Sequence, residues 1–428
     1  MDTLERLEAG DLAGATRLDL ACGLRHFPQA AYGLAETLEV LNLSGNALSD
    51  LPHDLHRFKR LKVVFCSNNA FTHLPEALGG CPQLQMVGFK ANRITRVPAS
   101  ALPARLRWLI LTDNQLSTLP SALGERASLQ KLMLAGNRLA ELPQSLAQCE
   151  RLELLRIASN RLAALPGWLT ELPALAWLAY AGNPLLPAAL CRPARLPAHT
   201  TLAWGRLALG ARLGEGASGE IVQARLDGAL PVAVKLYKGQ VTSDGSPLDE
   251  MAASLAAGQH PALIPLRGQL QGHPEGREGL VMDLVDRAFV NLAAPPSLAS
   301  CSRDVYPPGL ALGPAEALRI AKQVASLGAH LHARGIMHGD LYAHNLLWRP
   351  GGDCLLGDFG AASFHAGDGG PQAQALERLE VRAFGILLGE LLHCSGERAE
   401  HLKRLAVACI GAPAQRPRFI QLADALGG

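Results

Sequence analysis

Three oxygen-bearing side chains in the second half of the chain have types and spacing suited to chemistry on phosphates. Asp340 and Asn345 lie five residues apart, and Asp358 follows thirteen residues after Asn345. A carboxylate can orient a hydroxyl group and receive its proton, while an amide and a second carboxylate can hold Mg²⁺ against phosphate oxygens. We therefore predict that Asp340 is a catalytic carboxylate and that Asn345 and Asp358 bind the metal in an ATP-dependent phosphoryl transfer.

A glycine-rich segment upstream could hold the phosphates themselves. Its residues Gly214, Gly216, Gly219 and Ile221 fit the pattern G-x-G-x-x-G-x-V, with Ile in place of Val. Glycines let the backbone approach a phosphate closely and direct N–H groups at it. A dinucleotide-binding turn uses similar glycines, but it joins a strand to a helix. The flanking residues here alternate in the manner of two strands, so a hairpin is predicted instead.

A lysine follows on the next predicted strand. Lys235 ends the apolar run Val232-Ala233-Val234, sixteen residues after Gly219. An ammonium group on a rigid strand can pair with phosphate oxygens, and a carboxylate is needed to hold it in place. Glu250, which opens an apolar helical stretch fifteen residues later, is our choice for that carboxylate. Asp249 beside it is the alternative.

These segments occur in the order found in protein kinases, and roughly the last half of the chain resembles that family. The resemblance implies an α+β bilobal domain, with a first lobe made mainly of antiparallel sheet with one helix and a second lobe that is mainly helical. It implies ATP and Mg as cofactors and gives the catalytic roles to Asp340, Lys235 and Glu250. The nucleotide contacts that it implies come from Gly214, Gly216, Gly219, Ile221, Ala233, Lys235, Met282, Asp283, Val285 and Leu347.

The catalytic loop departs from the kinase pattern at two positions. Gly339 stands where the family has Arg before the catalytic Asp, and Tyr342 stands where serine/threonine kinases have Lys. In the family that Arg commonly docks a phosphorylated activation loop, so its absence predicts no such switch. Tyr342 leaves the class of hydroxyl acceptor open.

The segment after Asp358-Phe359-Gly360 is short. Only nineteen residues separate Gly360 from Glu380, and Ser363 carries the one hydroxyl side chain among them. The Ala-Pro-Glu of the family is missing, so Arg416, which resembles the usual partner of that Glu, is predicted to pair with Glu377. The peptide-docking shelf is therefore expected to be small.

Three functions from different classes follow from these residues. The preferred one is an ATP- and Mg-dependent protein kinase acting on Ser or Thr, because Lys235, Asp340, Asn345 and Asp358 are all present. A pseudokinase scaffold is the first alternative, favoured by the missing Arg, Lys and Ala-Pro-Glu. A small-molecule kinase of the same fold is the second, favoured by the short segment after Gly360.

The first half of the chain is a repeat array. Seven asparagines recur every 23 residues, with one step of 22, each in the pattern L-x-x-L-x-L-x-x-N: Asn46, Asn69, Asn92, Asn114, Asn137, Asn160 and Asn183. Alternating leucines of this kind line the inside of a short strand, and each unit must stack on its neighbours to close a core. A proline in most units argues against an array of continuous helices. The pattern resembles the leucine-rich repeats and implies an α/β solenoid of about eight units, the first being a degenerate copy at residues 17–23.

The side chains between the inward leucines should face the concave side of this solenoid. They are unusually apolar for an exposed sheet face, and such patches usually mark contacts. We predict that this column binds a protein segment or the chain's own second domain. Beyond Val40 it comprises Val63, Phe65, Met86, Trp108, Ile110, Met133, Leu154 and Trp177, and it is interrupted by Lys131 and Arg156.

These features divide the chain into a leucine-rich-repeat domain at 1–186, a proline-containing cap and linker at 187–205 and a kinase-like domain at 206–428. Bacterial proteins that fuse leucine-rich repeats to a protein-kinase-like domain are the architecture that it resembles. The net charge of +2 implies no nucleic-acid partner, and no stretch is apolar enough to span a membrane. Nine scattered cysteines and the lack of a signal peptide predict a cytoplasmic protein.

Overall fold

The computed structural model describes residues 3–185, 200–239, 241–367, 369–396 and 399–427. Those residues form two compact units. The first contains Met1–Leu155 and Asn160–Leu172, and the second contains Arg156–Ser159 and Pro173–Gly428. A short segment of the seventh repeat and the whole of the last strand of the repeat array therefore belong to the same unit as the C-terminal domain.

The repeats form one sheet of eight three-residue strands in sequential order, which confirms the predicted solenoid. From the first strand to the sixth, neighbours pair in parallel with a shift of 23 residues, or of 22 between the fourth and the fifth. A short helix, α1 (Thr3–Glu8), precedes the sheet. The strands are β1 (Arg17–Asp19), β2 (Val40–Asn42), β3 (Val63–Phe65), β4 (Met86–Gly88), β5 (Trp108–Ile110), β6 (Lys131–Met133), β7 (Leu154–Arg156) and β8 (Trp177–Ala179).

The repeated asparagines join consecutive units through their side chains. Asn114 is buried, and its amide nitrogen donates hydrogen bonds to the carbonyl oxygens of Phe89 (2.9 Å) and Leu111 (3.1 Å). Its side-chain oxygen accepts from the backbone N–H of Ile94 at 2.9 Å. Buried backbone groups need such partners, because an unsatisfied group costs about 1–3 kcal/mol. The chain then returns through a 3-10 helix that follows a proline in most units, such as Glu76–Gly80 after Pro75.

The concave column is only partly open. Phe65, Trp108, Ile110 and Met133 are partly exposed, whereas Val63, Met86 and Leu154 are buried. Trp108 packs edge-on against Phe65, and its indole N–H points to the Met133 sulfur at 3.3 Å. Neighbouring side chains of the column therefore cover one another.

Trp177, at the end of the predicted partner surface, contacts the C-terminal part of the chain itself, which was one of the two alternatives for this column. Its ring is only 1% exposed and stacks on Tyr342, with 4.1 Å between the ring centroids. The indole N–H also donates to the carbonyl oxygen of Leu341 at 3.0 Å. Trp177 therefore packs against other residues of the second unit.

The first lobe of the C-terminal domain contains a six-stranded sheet. Its strands are β9 (Thr201–Ala203), β10 (Leu207–Glu215), β11 (Gly219–Leu226), β12 (Leu230–Tyr237), β13 (Leu266–Gln271) and β14 (Gly279–Asp283). They lie in the order β10-β11-β12-β14-β13-β9, and all pairs are antiparallel except that of β9 with β13. Apolar side chains such as Val232, Val234 and Val281 form the core of the sheet, and helix α2 (Pro247–Ala257) begins at the N-cap Ser246.

The predicted cap and linker at 187–205 falls partly outside the described residues, which exclude 186–199. Its last part is structured. Thr201 lies opposite Gln269 in the parallel pair of β9 with β13, and a 3-10 turn at Trp204–Arg206 leads into β10. Residues 201–205 are therefore part of the first lobe.

The second lobe is mainly helical, as predicted. Its helices are α3 (Pro314–His332), α4 (Pro371–Ser395), α5 (Glu400–Ile410) and α6 (Phe419–Gly427). Its short strands are β15 (Val290–Asn291), β16 (Ile336–Met337), β17 (Leu346–Arg349), β18 (Asp353–Leu356) and β19 (Ser363–Phe364). Across the parts of the chain that the structure describes, no helix combines the length and the apolar content needed to cross a membrane.

Candidate active site

A β-hairpin brings Asn345 and Asp358 to the same place. Strands β17 and β18 pair antiparallel, with Leu346 opposite Leu356, so the residues just outside the hairpin must meet at its open end. The backbone N–H of Gly357 donates to the carbonyl oxygen of Asn345 at 3.0 Å. The thirteen-residue spacing is thus the length of one hairpin, and it places the predicted metal ligands on adjacent ends of two strands.

Asn345 also holds Asp340. Its amide nitrogen donates to the backbone oxygen of Asp340 at 2.9 Å and to one carboxylate oxygen at 2.8 Å. The other carboxylate oxygen forms an ion pair with the guanidinium of Arg156. Burial raises the pKa of Asp340, the Arg156 charge opposes that rise, and the carboxylates of Asp244 and Asp358 add to it.

Glu380 of α4 anchors the loop that carries Asp340. Its carboxylate accepts hydrogen bonds from the backbone N–H groups of His338 (3.2 Å) and Gly339 (2.6 Å). The Nε2 atom of His332, on α3, lies 2.8 Å from Oε2 of the same carboxylate. Because Glu380 is only 2% exposed, these partners replace the water that its charge loses on burial.

Gly339 is glycine for a local geometric reason. Its φ is +73°, and a Cβ atom there would lie 2.4 Å from the carbonyl oxygen of Leu178 and 2.6 Å from that of Ala361. A side chain has neither the backbone conformation nor the space. The missing Arg of the kinase pattern is therefore a consequence of how closely the strand containing Leu178 approaches the loop.

Lys235 of β12 and Glu250 of α2 form the predicted ion pair. The pair is largely buried, at 15% and 3% side-chain exposure. Burial raises the pKa of Glu250 against the opposing effect of the Lys235 ammonium group, and Asp358 adds to the rise. The two groups connect the sheet of the first lobe to its helix.

A cavity of about 520 Å³ lies beneath the glycine-rich hairpin. Its lining includes Gly214, Gly216, Lys235, Asp244 and Asp358. A Cβ atom at Gly214 or at Gly216 would meet no other atom within 4 Å, so the hairpin faces open space at these positions. At Gly219 a Cβ would lie 2.4 Å from the Leu236 carbonyl oxygen, so this glycine is needed for strand packing.

A second cavity, of about 110 Å³, lies deeper between β12, α2 and β14. Ile221, Lys235, Glu250, Met282 and Phe359 are among its lining residues. Lys235 and Asp358 line both cavities, so the two are neighbouring parts of one cleft.

The residues predicted to surround the adenine ring lie along the strands beside this cleft. Ala233 of β12 is opposite Met282 of β14. Leu347 lies on β17 and is partly exposed, as is Val285 just beyond β14. Asp283 forms an ion pair with Arg267. Of this set, Met282 lines the deeper cavity, whereas Ala233, Asp283, Val285 and Leu347 line neither of the two.

The residues of the cleft fit Mg²⁺ and a nucleoside triphosphate. Mg²⁺ prefers oxygen ligands and is commonly bound through one or two protein groups plus phosphates. Asn345 and Asp358 offer such oxygens, and Lys235 with the open glycine backbone suits phosphate. Within the described residues, no group of three or more His, Cys, Asp or Glu side chains could hold a metal ion alone.

Arg156 and Asp244 are site residues that the sequence analysis did not find. Arg156 lies on β7, within the repeats, and Asp244 lies in the loop before α2. The one signal in the sequence was that Arg156 interrupts an otherwise apolar column. Its partners lie 88 and 184 residues further along the chain, and no local pattern encodes such a contact.

Two sets of contacts define the short segment after Gly360 and the helix that follows it. Ser363 is fully buried, and its hydroxyl oxygen accepts from the backbone N–H groups of Tyr180 (2.9 Å) and Ala181 (3.1 Å). The predicted pairing of Glu377 with Arg416 is wrong. Glu377 pairs with Arg418 at 2.7 Å. Arg416 instead donates to the carbonyl oxygens of Pro173, Arg378 and Gly411.

Comparisons with known proteins agree with this geometry. Residues 207–386 match the family described as protein tyrosine and serine/threonine kinase. Residues 37–58 and 127–185 match leucine-rich-repeat families. The chain therefore carries leucine-rich repeats followed by a protein kinase domain.

Similar curated proteins are kinases of both hydroxyl classes. The chain is 30% identical over 187 residues to an Oryza sativa subsp. japonica protein named after cyclin-dependent kinase F-2, covering 42% of this chain and 54% of that protein. It is 28% identical over 183 residues to the serine/threonine-protein kinase PITSLRE of Drosophila melanogaster (42% and 18% covered). It is 33% identical over 187 residues to the tyrosine-protein kinase Srms of Homo sapiens (42% and 34% covered). The chain spans about half or less of the length of these relatives, all eukaryotic, and they lend no support to a bacterial type.

Proposed function

We propose that this protein is an ATP- and Mg-dependent protein kinase that phosphorylates Ser or Thr. One observation carries the proposal. Lys235 and Asp358 line a single cavity beneath the glycine-rich hairpin. The backbone of Asn345 is hydrogen-bonded to Gly357, the residue before Asp358. The side chain of Asn345 donates a hydrogen bond to the Asp340 carboxylate. A cation for phosphate, two oxygen ligands for a metal and a carboxylate for a hydroxyl group are thereby joined in one framework.

The residues divide the work as follows. Lys235, held by Glu250, binds the α- and β-phosphates, and the hairpin glycines bring backbone N–H groups close to them. Asn345 and Asp358 hold Mg²⁺, which neutralises phosphate charge when bound. Asp340 orients the acceptor hydroxyl and receives its proton. The nucleotide base contacts a set of six residues on the strands beside the cleft: Ile221, Ala233, Met282, Asp283, Val285 and Leu347.

The choice of Ser or Thr is the least constrained part of the proposal. It is supported by the likeness to a protein named as a serine/threonine kinase, while the likeness to a tyrosine kinase favours the other class. Phosphoamino-acid analysis of the product separates the two classes. Phosphotyrosine alone would require the acceptor class to be changed.

A pseudokinase scaffold is the second candidate, and one observation favours it. Both carboxylate oxygens of Asp340 are already bonded, one to Asn345 and one to Arg156. A chain in which this arrangement never opens would bind nucleotide without transferring phosphate.

Transfer of labelled phosphate to protein distinguishes the two functions. We expect transfer by the parent chain and a loss of at least about a hundredfold in Asp340→Ala, as expected for removal of an essential catalytic group. Asp424→Ala, which removes an exposed carboxylate on α6, is the matched control and should transfer at the parental rate. Equal transfer by parent and Asp340→Ala would contradict the assignment of Asp340.

We also propose that the repeats bind a protein partner or substrate through the open part of the concave column, Phe65, Trp108, Ile110 and Met133. Partly exposed aromatic and apolar side chains next to one another support a contact surface. A cytoplasmic location completes the proposal, and strand β9 moves the start of the kinase domain from residue 206 to residue 201. Among the residues that the structure describes, Cys66, Cys81 and Cys149 are buried thiols that form no disulfide, which supports a reducing compartment.

A further inference from the structure

We propose that Arg156, a residue of the repeat array, is a positioning residue for phosphoryl transfer. It bonds both to the loop that carries Asp340 and to the loop that leads into α2, and so fixes the position of these two sides of the catalytic cleft relative to each other. This inference rests on the proposed kinase function and adds to it a residue that lies outside the kinase domain in sequence.

The guanidinium of Arg156 is shared between two segments of the second unit. Its Nε donates to the Asp244 carboxylate at 2.7 Å, and one terminal nitrogen donates to the Gly339 carbonyl oxygen at 2.9 Å. The other terminal nitrogen pairs with the Asp340 carboxylate. The side chain is 1% exposed. A planar group with donors in fixed directions can set the relative position of three acceptors, which a flexible ammonium group cannot do.

Asp244 connects this contact to the nucleotide side of the cleft. It lies between β12, which carries Lys235, and α2, which carries Glu250, and it lines the cavity beneath the glycine-rich hairpin. The loop is tightly turned, since Thr242 N–H donates to the Gly245 carbonyl oxygen at 2.9 Å. A shift of this loop would move the start of α2 and with it the carboxylate that holds Lys235.

The loop has little room to shift on its other side. A Cβ atom at Gly245 would lie 3.1 Å from the Cβ of Ala158 and 3.6 Å from the carbonyl oxygen of Gly360. The turn is thus packed between the segment that carries Arg156 and Gly360, which lies two residues after Asp358. Arg156 and Ala158 together therefore hold one surface of the loop.

Charge gives a second reason for Arg156. The charges of Asp244 and Asp358 both act on Asp340, so three carboxylates share one region of the cleft. Carboxylates that lie close together repel one another where water is scarce. Arg156 is the cation bonded to two of them. Removing it would leave two partly buried carboxylates without their counter-charge, which favours separation of the loops that carry them.

Two further contacts in the same compact unit fit a fixed catalytic loop. Gly339 leaves room for the carbonyl oxygen of Leu178, and its own carbonyl oxygen accepts from Arg156. Ser363 is buried under the N–H groups of Tyr180 and Ala181 and is closed to modification. These contacts come from Arg156–Ser159 and from the chain after Pro173, which belong to the same unit as the catalytic loop.

Steady-state kinetics of Arg156 variants test the inference in the full-length chain. We expect Arg156→Ala to lower kcat by about tenfold to a hundredfold, the loss typical of misplaced catalytic groups, with KM for ATP within about threefold of the parent. Arg156→Lys restores the charge without the fork and should recover part of kcat. Arg161→Ala removes an exposed arginine of the same repeat and should match the parent. Asp244→Asn, which keeps the side-chain volume, should lose part of kcat without loss of fold.

Two kinetic outcomes would overturn the inference. An Arg156→Ala chain with parental kcat would show that Arg156 positions nothing. A chain with higher kcat than the parent would show that the contact restrains Asp340, which is the opposite role. If the parent itself transfers no phosphate, the proposed function fails, and a second measurement still decides the role of Arg156.

Hydrogen–deuterium exchange provides that measurement without turnover. We expect Arg156→Ala to speed amide exchange in both 242–250 and 338–345, because both segments lose the same anchor. Arg161→Ala should leave both unchanged. Faster exchange confined to residues near 156, or no change in either segment, would contradict the bridge whatever the activity of the chain.

Discussion

Glu380 illustrates at the residue scale how one buried charge fixes a functional loop. The loop N–H groups of His338 and Gly339 both point to its carboxylate, and His332 lies on its other side. A carboxylate can accept all three hydrogen bonds, whereas a side-chain amide offers one accepting oxygen and two donating hydrogens. The charge is therefore part of the geometry that presents Asp340.

Glu380→Gln should weaken both the fold and the transfer reaction. At least one N–H group would face an NH₂ group instead of an oxygen, at a cost of about 1–3 kcal/mol in unfolding free energy. We expect kcat to fall about tenfold or more as the loop loosens. Urea-induced unfolding and phosphate transfer measure the two effects.

Glu400→Gln is the control, since Glu400 is exposed and pairs with Lys403 one turn away on α5. It should change stability by less than about 1 kcal/mol. Equal losses of stability in the two variants would show that the buried hydrogen bonds of Glu380 do not matter.

Sequence patterns reveal those site residues that lie in local segments. Asp340, Asn345 and Asp358 are visible because one hairpin sets their spacing, and Lys235 is visible at the end of a buried strand. Arg156 is not visible, because its role comes from a contact with residues more than 80 positions away. The pairing of Arg418 rather than Arg416 with Glu377 was missed for a related reason: the two partners lie 41 positions apart, and tertiary packing decides which arginine reaches the carboxylate.

At the scale of elements, the repeat period explains the sheet and also the surface that it offers. A shift of 23 residues between β2 and β3 places each side chain of one strand beside its equivalent on the next. Columns of equivalent side chains therefore run across the sheet, and an apolar column can either cover itself or meet a partner. Trp108 does the first in part, through Phe65 and Met133, and remains partly exposed.

A photoreactive amino acid in place of Trp108 tests whether that column meets a protein. We expect a cross-linked adduct of this chain with a second protein when the probe is at position 108 in growing cells. The same probe in place of Thr95, an exposed residue on a different turn of the repeats, is the control and should give none. Identical adducts from both positions would indicate random collisions and would remove the partner proposal.

Element boundaries show where sequence reasoning stops. The repeats were predicted from a recurring pattern of leucines and asparagines, and the glycine-rich hairpin from the alternation of the residues that flank it; both are local properties of the sequence. Strand β9 was predicted as linker because Thr201–Ala203 is too short to show alternation and is defined only by its pairing with β13. The second domain was one of the two partners predicted for Trp177, but its stacking partner, Tyr342, was not named because it lies far away in the sequence.

At the scale of the whole molecule, the compact units do not divide where the repeats end. Arg156–Ser159 and the chain from Pro173 belong with the kinase domain. Experiments on the kinase domain therefore need the full chain, because a fragment that starts at residue 206 lacks Arg156, Trp177 and Tyr180. Loss of activity in such a fragment would reflect missing contacts within one unit.

The central claim is that one cleft transfers phosphate from ATP to a protein hydroxyl group. The most direct test is to incubate the purified full-length chain with ATP, Mg²⁺ and a protein substrate mixture, and to measure ADP and phosphoprotein in the same samples. We predict that both appear in equal amounts, and that chelation of Mg²⁺ abolishes both because Asn345 and Asp358 then have no metal to hold. ADP without phosphoprotein would contradict transfer to protein and would point to water or a small molecule as the acceptor, and the absence of both in the presence of Mg²⁺ would contradict the claim as a whole.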